Sequence, residues 1–211
     1  MKLADIKIEA LKIMFVSYGE RITAETLSSY ETDENFASYL VKMNGAINRC
    51  FGDLEAKGII PDKCHKLTAD NGKTRGRYMD FDTKALNVGA ISRVAYENMM
   101  GRRISDFDRW EYVPEEDKII LPVIREDEYY LLSYKPRMQR LTASSLDSME
   151  LDLPDYIAEL IPYFIKGELY REDEPNEAGE ARNYYEAATE QLMLPKDVRG
   201  SVYSKYSLCE V

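Results

Sequence analysis

The sequence predicts an α+β fold: a helical bundle made from N- and C-terminal helices, with a β-rich antiparallel insertion between them. Three observations lead there. Apolar residues recur with a helical period near 3.6 in the first sixty residues and again after residue 153. Between these stretches the pattern changes to short alternating runs broken by turn residues. Each helical end carries an apolar stripe that it cannot bury alone, so the two ends are expected to touch. The corresponding boundaries are 1–61 for the N-terminal helices, 62–145 for the insertion, 146–194 for a C-terminal helical hairpin and 195–211 for an extended tail.

The first helix is expected from Ala4 to Tyr18, with Ile6, Leu11, Ile13, Met14 and Phe15 as its apolar surface and Gly19 as a stop. A polar stretch with possible caps at Thr23, Ser28 and Thr32 follows. A second long helix is expected after Asp33, running to Lys57 and ended by Gly58. Phe36, Leu40, Met43, Ile47, Cys50, Phe51 and Leu54 give it a nearly continuous apolar face.

In the middle, Asp70-Asn71-Gly72 is a strong turn signal. Strands are expected at HKLTA, GRYMDFDT, AISRVAYEN, RWEYVP, KIILPVI and EYYLLSYKP, with Pro114–Asp117 and Glu126–Glu128 as hairpin loops. Short strands at near-regular spacing favour an antiparallel sheet or sandwich over a parallel nucleotide-binding sheet.

The last third predicts two helices. Pro154 and Pro175 stand where helices begin, since a first turn leaves the missing amide hydrogen unneeded. Ile157, Leu160, Ile161, Phe164, Ile165 and Leu169 form one stripe. Pro162 falls inside it, and because the stripe stays in phase a kink or bulge is expected there rather than a break. In the second helix Ala178, Ala181, Tyr185, Ala188 and Leu192 make a narrow seam of mostly small residues, suited to close packing against other helices.

This hairpin, LPDYIAELIPYFIKGELYREDEPNEAGEARNYYEAATEQL, resembles the closing helices of bacteriophage head-to-tail adaptor proteins, the connector or tail-accessory rings bound under the portal. The likeness rests on the phrase LIPYFIKGELYREDEPNEA and on the order of elements: helices, a β-rich middle, the hairpin and a short tail. It implies a virion structural protein of phage or prophage origin. Such a protein associates into a ring, docks on the portal, joins it to tail components and meets DNA only as passing cargo. Family members commonly dock through C-terminal extensions. Here that role would fall to the apolar residues of the tail, Val198, Val202, Tyr203, Tyr206 and Leu208.

Composition bounds the alternatives. Of 211 residues, 45% are hydrophobic, enough for a sizeable core. The acidity is local: residues 1–60 carry nine acids and seven bases, 61–149 carry fifteen of each, and 150–211 carry fourteen acids and six bases. An acidic C-terminal hairpin repels duplex DNA and favours protein partners. The apolar runs are too short to span a membrane and the N-terminus is unlike a secretory signal. Cys50, Cys64 and Cys209 read as free thiols, so synthesis in the host cytoplasm is expected, followed by incorporation into the virion.

Catalytic and cofactor signatures are missing. His65 beside Cys64 falls short of the four ligands of a zinc site, and no P-loop, GxGxxG, EF-hand or GxSxG pattern occurs. The expectation is therefore a protein without enzymatic activity, metal or cofactor. The middle region does hold bases that could form an interface or line a channel: Arg75, Arg77, Arg102, Arg103, Lys135, Arg137 and Arg140. Tyr78, Phe81, Trp110, Tyr112, Tyr129, Tyr130 and Tyr134 interleave with them. Such surfaces suit subunit contacts, and they also suit single-stranded nucleic acid, which supplies the alternative reading of a non-enzymatic binding module.

Overall fold

The computed structural model describes residues 1–16, 21–98 and 103–193, and within these the side chains of Asn98 and residues 103–106 are excluded. The fold is α+β, with helices and antiparallel sheets segregated into two units. Residues 1–59 and 138–193 make one unit, and residues 60–137 the other.

The helical unit contains α1 (Leu3–Met14), α2 (Leu27–Tyr30), α3 (Ala37–Ala56), α4 (Asp155–Ala158), α5 (Ile161–Leu169) and α6 (Pro175–Met193). Helix α5 packs against α1, α3 and α6, so both ends of the chain contribute to one core. Leu3, Ile6, Leu11, Met43, Ile47, Phe51, Ile157, Ile161 and Ile165 are buried within it. Asp5 accepts the Lys2 backbone N–H at 2.9 Å and places a carboxylate at the positive start of α1. At the opposite end, Lys166 Nζ donates to the Ile13 carbonyl at 3.0 Å and the Tyr170 hydroxyl to the Met14 carbonyl at 2.6 Å. These α5 groups satisfy carbonyls that the end of α1 leaves unpaired.

Helix α1 stops at Met14, with Phe15 as its C-cap, short of the expected Tyr18; Tyr18 and Gly19 lie outside the described residues. Phe15 turns inward and meets Phe36, Tyr39 and Tyr170 edge-on at 4.6, 5.4 and 6.2 Å between ring centroids. Packing of this aromatic ends the helix without a glycine.

Around Pro162 the expectation of a kink is corrected. The chain divides into α4 and α5, with Glu159 and Leu160 between them. Proline has no N–H for the Ala158 carbonyl and its ring crowds that turn, so Pro162 serves in the first turn of a new helix. The apolar stripe survives because Ile157, Leu160, Ile161, Phe164 and Ile165 are all buried across the break.

The sheet unit has eight strands: β1 (Lys63–Thr68), β2 (Gly72–Arg75), β3 (Tyr78–Asp82), β4 (Val88–Asn98), β5 (Arg103–Asp106), β6 (Glu111–Val113), β7 (Lys118–Pro122) and β8 (Glu128–Pro136). They form two four-stranded antiparallel sheets, β1-β8-β4-β5 and β2-β3-β7-β6. One core joins the inner faces. Leu67, Val94, Tyr130, Leu132 and Tyr134 come from the first sheet, and Met79, Phe81, Ile119 and Leu121 from the second. Alternation sets these faces: Met79 and Phe81 are buried, whereas Tyr78 and Asp82 point outward.

Asp70-Asn71-Gly72 is a turn as expected, and one of the two expected hairpin loops changes. Asp70-Asn71-Gly72 passes the chain from one sheet to the other, because β1 and β2 belong to different sheets. The hairpin of this region is the two-residue loop Gly76-Arg77, where Gly76 adopts φ 67°. Likewise Glu126–Glu128 leads from β7 in one sheet to β8 in the other, while Pro114–Asp117 is a true hairpin loop between β6 and β7. The insertion also ends earlier than residue 145. From Met138 onward the chain belongs with the helices, since Met138 N–H donates to Glu55 at 2.7 Å and Leu141 N–H to Asn48 Oδ1 at 2.7 Å.

Candidate functional site

Two regions concentrate side-chain chemistry, one in each unit. In the sheet unit it is a pocket of about 520 Å³ over the outer face of the second sheet. Strand register builds it. Asp80, Ile120 and Glu111 stand opposite one another across β3, β7 and β6, and Arg75 faces Tyr78 two residues further along that surface. Arg109 and Trp110, just before β6, complete the lining. Tyr78 is 54% exposed and Trp110 half-buried, so aromatic surface is open to a ligand.

The sequence singled out Arg75, Tyr78 and Trp110, and the structure brings these three together. Asp80, Arg109 and Glu111 were missed. The alternation of GRYMDFD, which sets Tyr78 and Asp80 on one face, was the available signal for Asp80.

Four of the other candidate bases, Arg77, Lys135, Arg137 and Arg140, fall within the described residues. Arg77 sits in the hairpin loop, where its carbonyl accepts from Val123 N–H at 3.1 Å. Lys135 Nζ donates to the Ile60 carbonyl at 3.3 Å and lies 3.7 Å from Asp62. Arg137 is exposed, and its backbone pairs with Asn87. Arg140 belongs to the helical unit, paired with Glu55 at 2.5 Å and donating to the Asn48 carbonyl at 2.7 Å. Arg102 and the side chain of Arg103 lie outside the described residues. Lys135 and Arg140 are thus each held by partners within their own unit.

In the helical unit the small-residue seam faces α5 and α3. Ala178, Ala181 and Tyr185 are buried; Ala188 and Leu192 are half-buried, and Thr189 takes the next fully buried place. After Tyr185 the stripe thus continues at a spacing of four, as a straight helix requires. Thr189 fits because its hydroxyl accepts from Lys57 Nζ at 3.2 Å and donates to the Glu186 carbonyl at 2.9 Å.

Around that seam runs a charged network. The Tyr185 hydroxyl donates to Asp53 Oδ2 at 2.6 Å, and Lys57 Nζ lies 2.9 Å from Asp53 and 2.5 Å from Glu186. Arg182 pairs with Glu186 at 3.1 Å and Glu168 at 3.3 Å, and Glu168 also holds Arg49 at 2.9 Å. Burial pushes the Cys50 thiol up to about 12 and also raises the Tyr185 hydroxyl, to which Cys50 and Asp53 add. Burial alone would raise the Asp53 carboxyl, but Tyr185 and Lys57 outweigh it and hold it below the ordinary value. Burial alone would lower Lys57, but Glu186 and Asp53 outweigh it and raise the ammonium.

The signs give a pH window. A depressed carboxyl stabilises the fold above its unfolded pKa and loses that contribution as pH falls through the folded value. A raised ammonium stabilises below its unfolded pKa and loses that contribution as pH rises through the folded one. Both contributions are therefore complete near neutrality. Below about pH 4 the α6–α3 attachment is expected to loosen, read as faster amide exchange in α6. Asp53→Asn should show a shallower acid step.

A second pocket of about 540 Å³, between α3 and the end of α5, is lined mostly by charged groups, of which Arg49, Glu168 and Asp173 are already in use. Arg49 holds Glu168, and Asp173 accepts from the Tyr39 hydroxyl at 3.0 Å. Among the described residues no helix is long and apolar enough to cross a membrane. Cys50 and Cys64 are free thiols. The tail residues Val198, Val202, Tyr203, Tyr206 and Leu208 lie outside the described residues, as does Cys209. No protein-family model matches the chain, and comparison with curated proteins finds no match.

Proposed function

We propose that this chain is a phage or prophage head-to-tail adaptor, a virion structural protein that works through its interfaces without turnover or cofactor. In this reading the two ends of the chain form the helical bundle and the antiparallel unit is inserted between them in sequence. One observation carries it: helices more than a hundred residues apart, α1 and α3 on one side and α5 and α6 on the other, share one unit interrupted by a β-rich segment. That is the order of elements implied by the resemblance of LIPYFIKGELYREDEPNEA to adaptor closing helices. The acidic α5–α6 region favours protein partners, here the portal and tail components. Copies made in the host cytoplasm would assemble as a ring in the virion, with the portal as template and DNA as passing cargo.

Docking falls to residues 195–211, whose apolar side chains are too few to add much core and too many for a solvating tail. In this reading the portal templates the ring, and the isolated subunit is a monomer. Truncation after Leu194 is the test. An unchanged melting temperature with lost portal binding is expected; loss of folding, or undiminished docking, contradicts the assignment.

A further inference from the structure

The outer face of the second sheet holds polar chemistry that the fold leaves unused. Asp80 and Glu111 share one cross-strand row of the pocket, and Arg75 and Tyr78 lie in the next row of the same face. Two residues of strand separate the rows by about 7 Å. Arg109 lies two residues before Glu111, on the side of that second row. The two carboxylates thus share one row with Lys73 at its β2 edge, and the guanidiniums lie on the next, with Tyr78 and Trp110 as aromatic walls.

Among the described residues the side chains of Arg75, Asp80, Arg109 and Glu111 make no hydrogen bond or ion pair. Asp80 Oδ1 is buried without a donor. An unmet buried acceptor is costly, so it marks a place where a bound donor gains more than it would in water. Lys73 stands directly opposite Asp80 across β2 and β3 without a hydrogen bond to it, and Lys118, one row further along, is engaged by Glu116.

A ligand matching this lining needs a flat face, a donor edge and an anionic group about one nucleotide's reach from that edge. An acidic peptide would oppose Asp80 and Glu111, and a basic one would oppose both guanidiniums. We infer that the pocket binds one nucleotide of a single-stranded nucleic acid, its base stacked against Trp110 and Tyr78, its Watson–Crick edge donating to Asp80 and its phosphate on Arg75 and Arg109. Stacking of bases on aromatic side chains with phosphates on basic groups is the common chemistry of such strands. Guanine fits best, because its N1–H and N2–H groups donate side by side to a carboxylate. This assignment is independent of the adaptor reading.

Trp110 is the sole tryptophan of the chain, so its fluorescence reads occupancy directly. The full-length protein would be titrated with the single strands d(TTGTT) and d(TTTTT), with guanosine monophosphate and with a polyglutamate peptide. Saturable quenching by d(TTGTT) is expected, weakened by salt. Affinity for d(TTTTT) should be about tenfold lower. Asp80→Ala should abolish that preference, and the double variant Arg75→Gln, Arg109→Gln should weaken both strands about tenfold. Circular dichroism should show each variant folded, since all three positions lie on the outer face. Absence of saturable quenching by d(TTGTT), or quenching untouched by the double variant, overturns the inference. Equal affinity for guanosine monophosphate overturns the assignment to a strand. Saturation by polyglutamate instead would assign the pocket to an acidic protein segment.

Discussion

Replacing Tyr185 by alanine is expected to destabilise the helical unit by about 3–5 kcal/mol, the largest effect of any single change in α6. Tyr185 is fully buried and packs edge-on to Phe164 with centroids 5.1 Å apart. The Lys57 ammonium lies 4.8 Å from its ring centroid. Removing the ring leaves a cavity and also takes away the hydroxyl on Asp53, so transfer, packing and hydrogen-bond losses combine. Tyr185→Phe keeps the ring and should cost about 1–3 kcal/mol, the penalty of a partly buried acceptor losing its donor. Tyr184 stands next door but is 52% exposed, touching chiefly the Tyr163 ring at 4.2 Å. Its replacement by alanine should cost about 0.5–1.5 kcal/mol. Denaturant unfolding of the three variants checks the order.

The second large effect is expected at Asn48. Its amide closes a two-way clasp with one backbone unit: Oδ1 accepts from Leu141 N–H at 2.7 Å and Nδ2 donates to the Leu141 carbonyl at 2.8 Å. Glu55 adds to this by accepting from Met138 N–H and pairing with Arg140. Helix α3 thereby captures the chain as it returns from the sheet unit. Asn48→Leu fills similar space but leaves a backbone donor and acceptor unmet, at about 1–3 kcal/mol for each. Amide exchange at Leu141 should accelerate in this variant, with exchange in β3 and β7 unchanged. Equal acceleration in both units would show that the clasp is not local.

How far these features were legible in the sequence depends on what each requires. Helix α3 was readable because Leu40, Met43, Ile47, Cys50, Phe51 and Leu54 repeat one face over about four turns, and burial follows that face closely. Strand β8 was readable for the same reason, as alternation in EYYLLSYKP matches the alternating burial of the strand. The sheet topology was not legible. Asp70-Asn71-Gly72 has hairpin chemistry, yet the chain there crosses between sheets, and only partner strands distant in sequence decide that. At Pro162 continuity of the apolar stripe does not carry continuity of backbone hydrogen bonding with it. The two are separable: Leu160 and Ile161 keep their faces while the helix restarts between them.

The site shows the same division. Residue types at short range were visible, hence Arg75, Tyr78 and Trp110. Strand alternation could have added Asp80 beside Tyr78, but Glu111 entered only through cross-strand register, and Asp53, Lys57 and Glu186 only through helix packing. Charged residues at these positions resemble ordinary solvated surface until a fold places them against one another.

The central claim is that the chain functions by occupying interfaces on a portal ring. Native mass spectrometry of the full chain mixed with purified portal rings tests it most directly. A monomer is expected when the chain is alone and, on mixing, a discrete complex of one portal ring with a complete set of adaptor copies. A chain that stays monomeric beside unoccupied portal rings would contradict it.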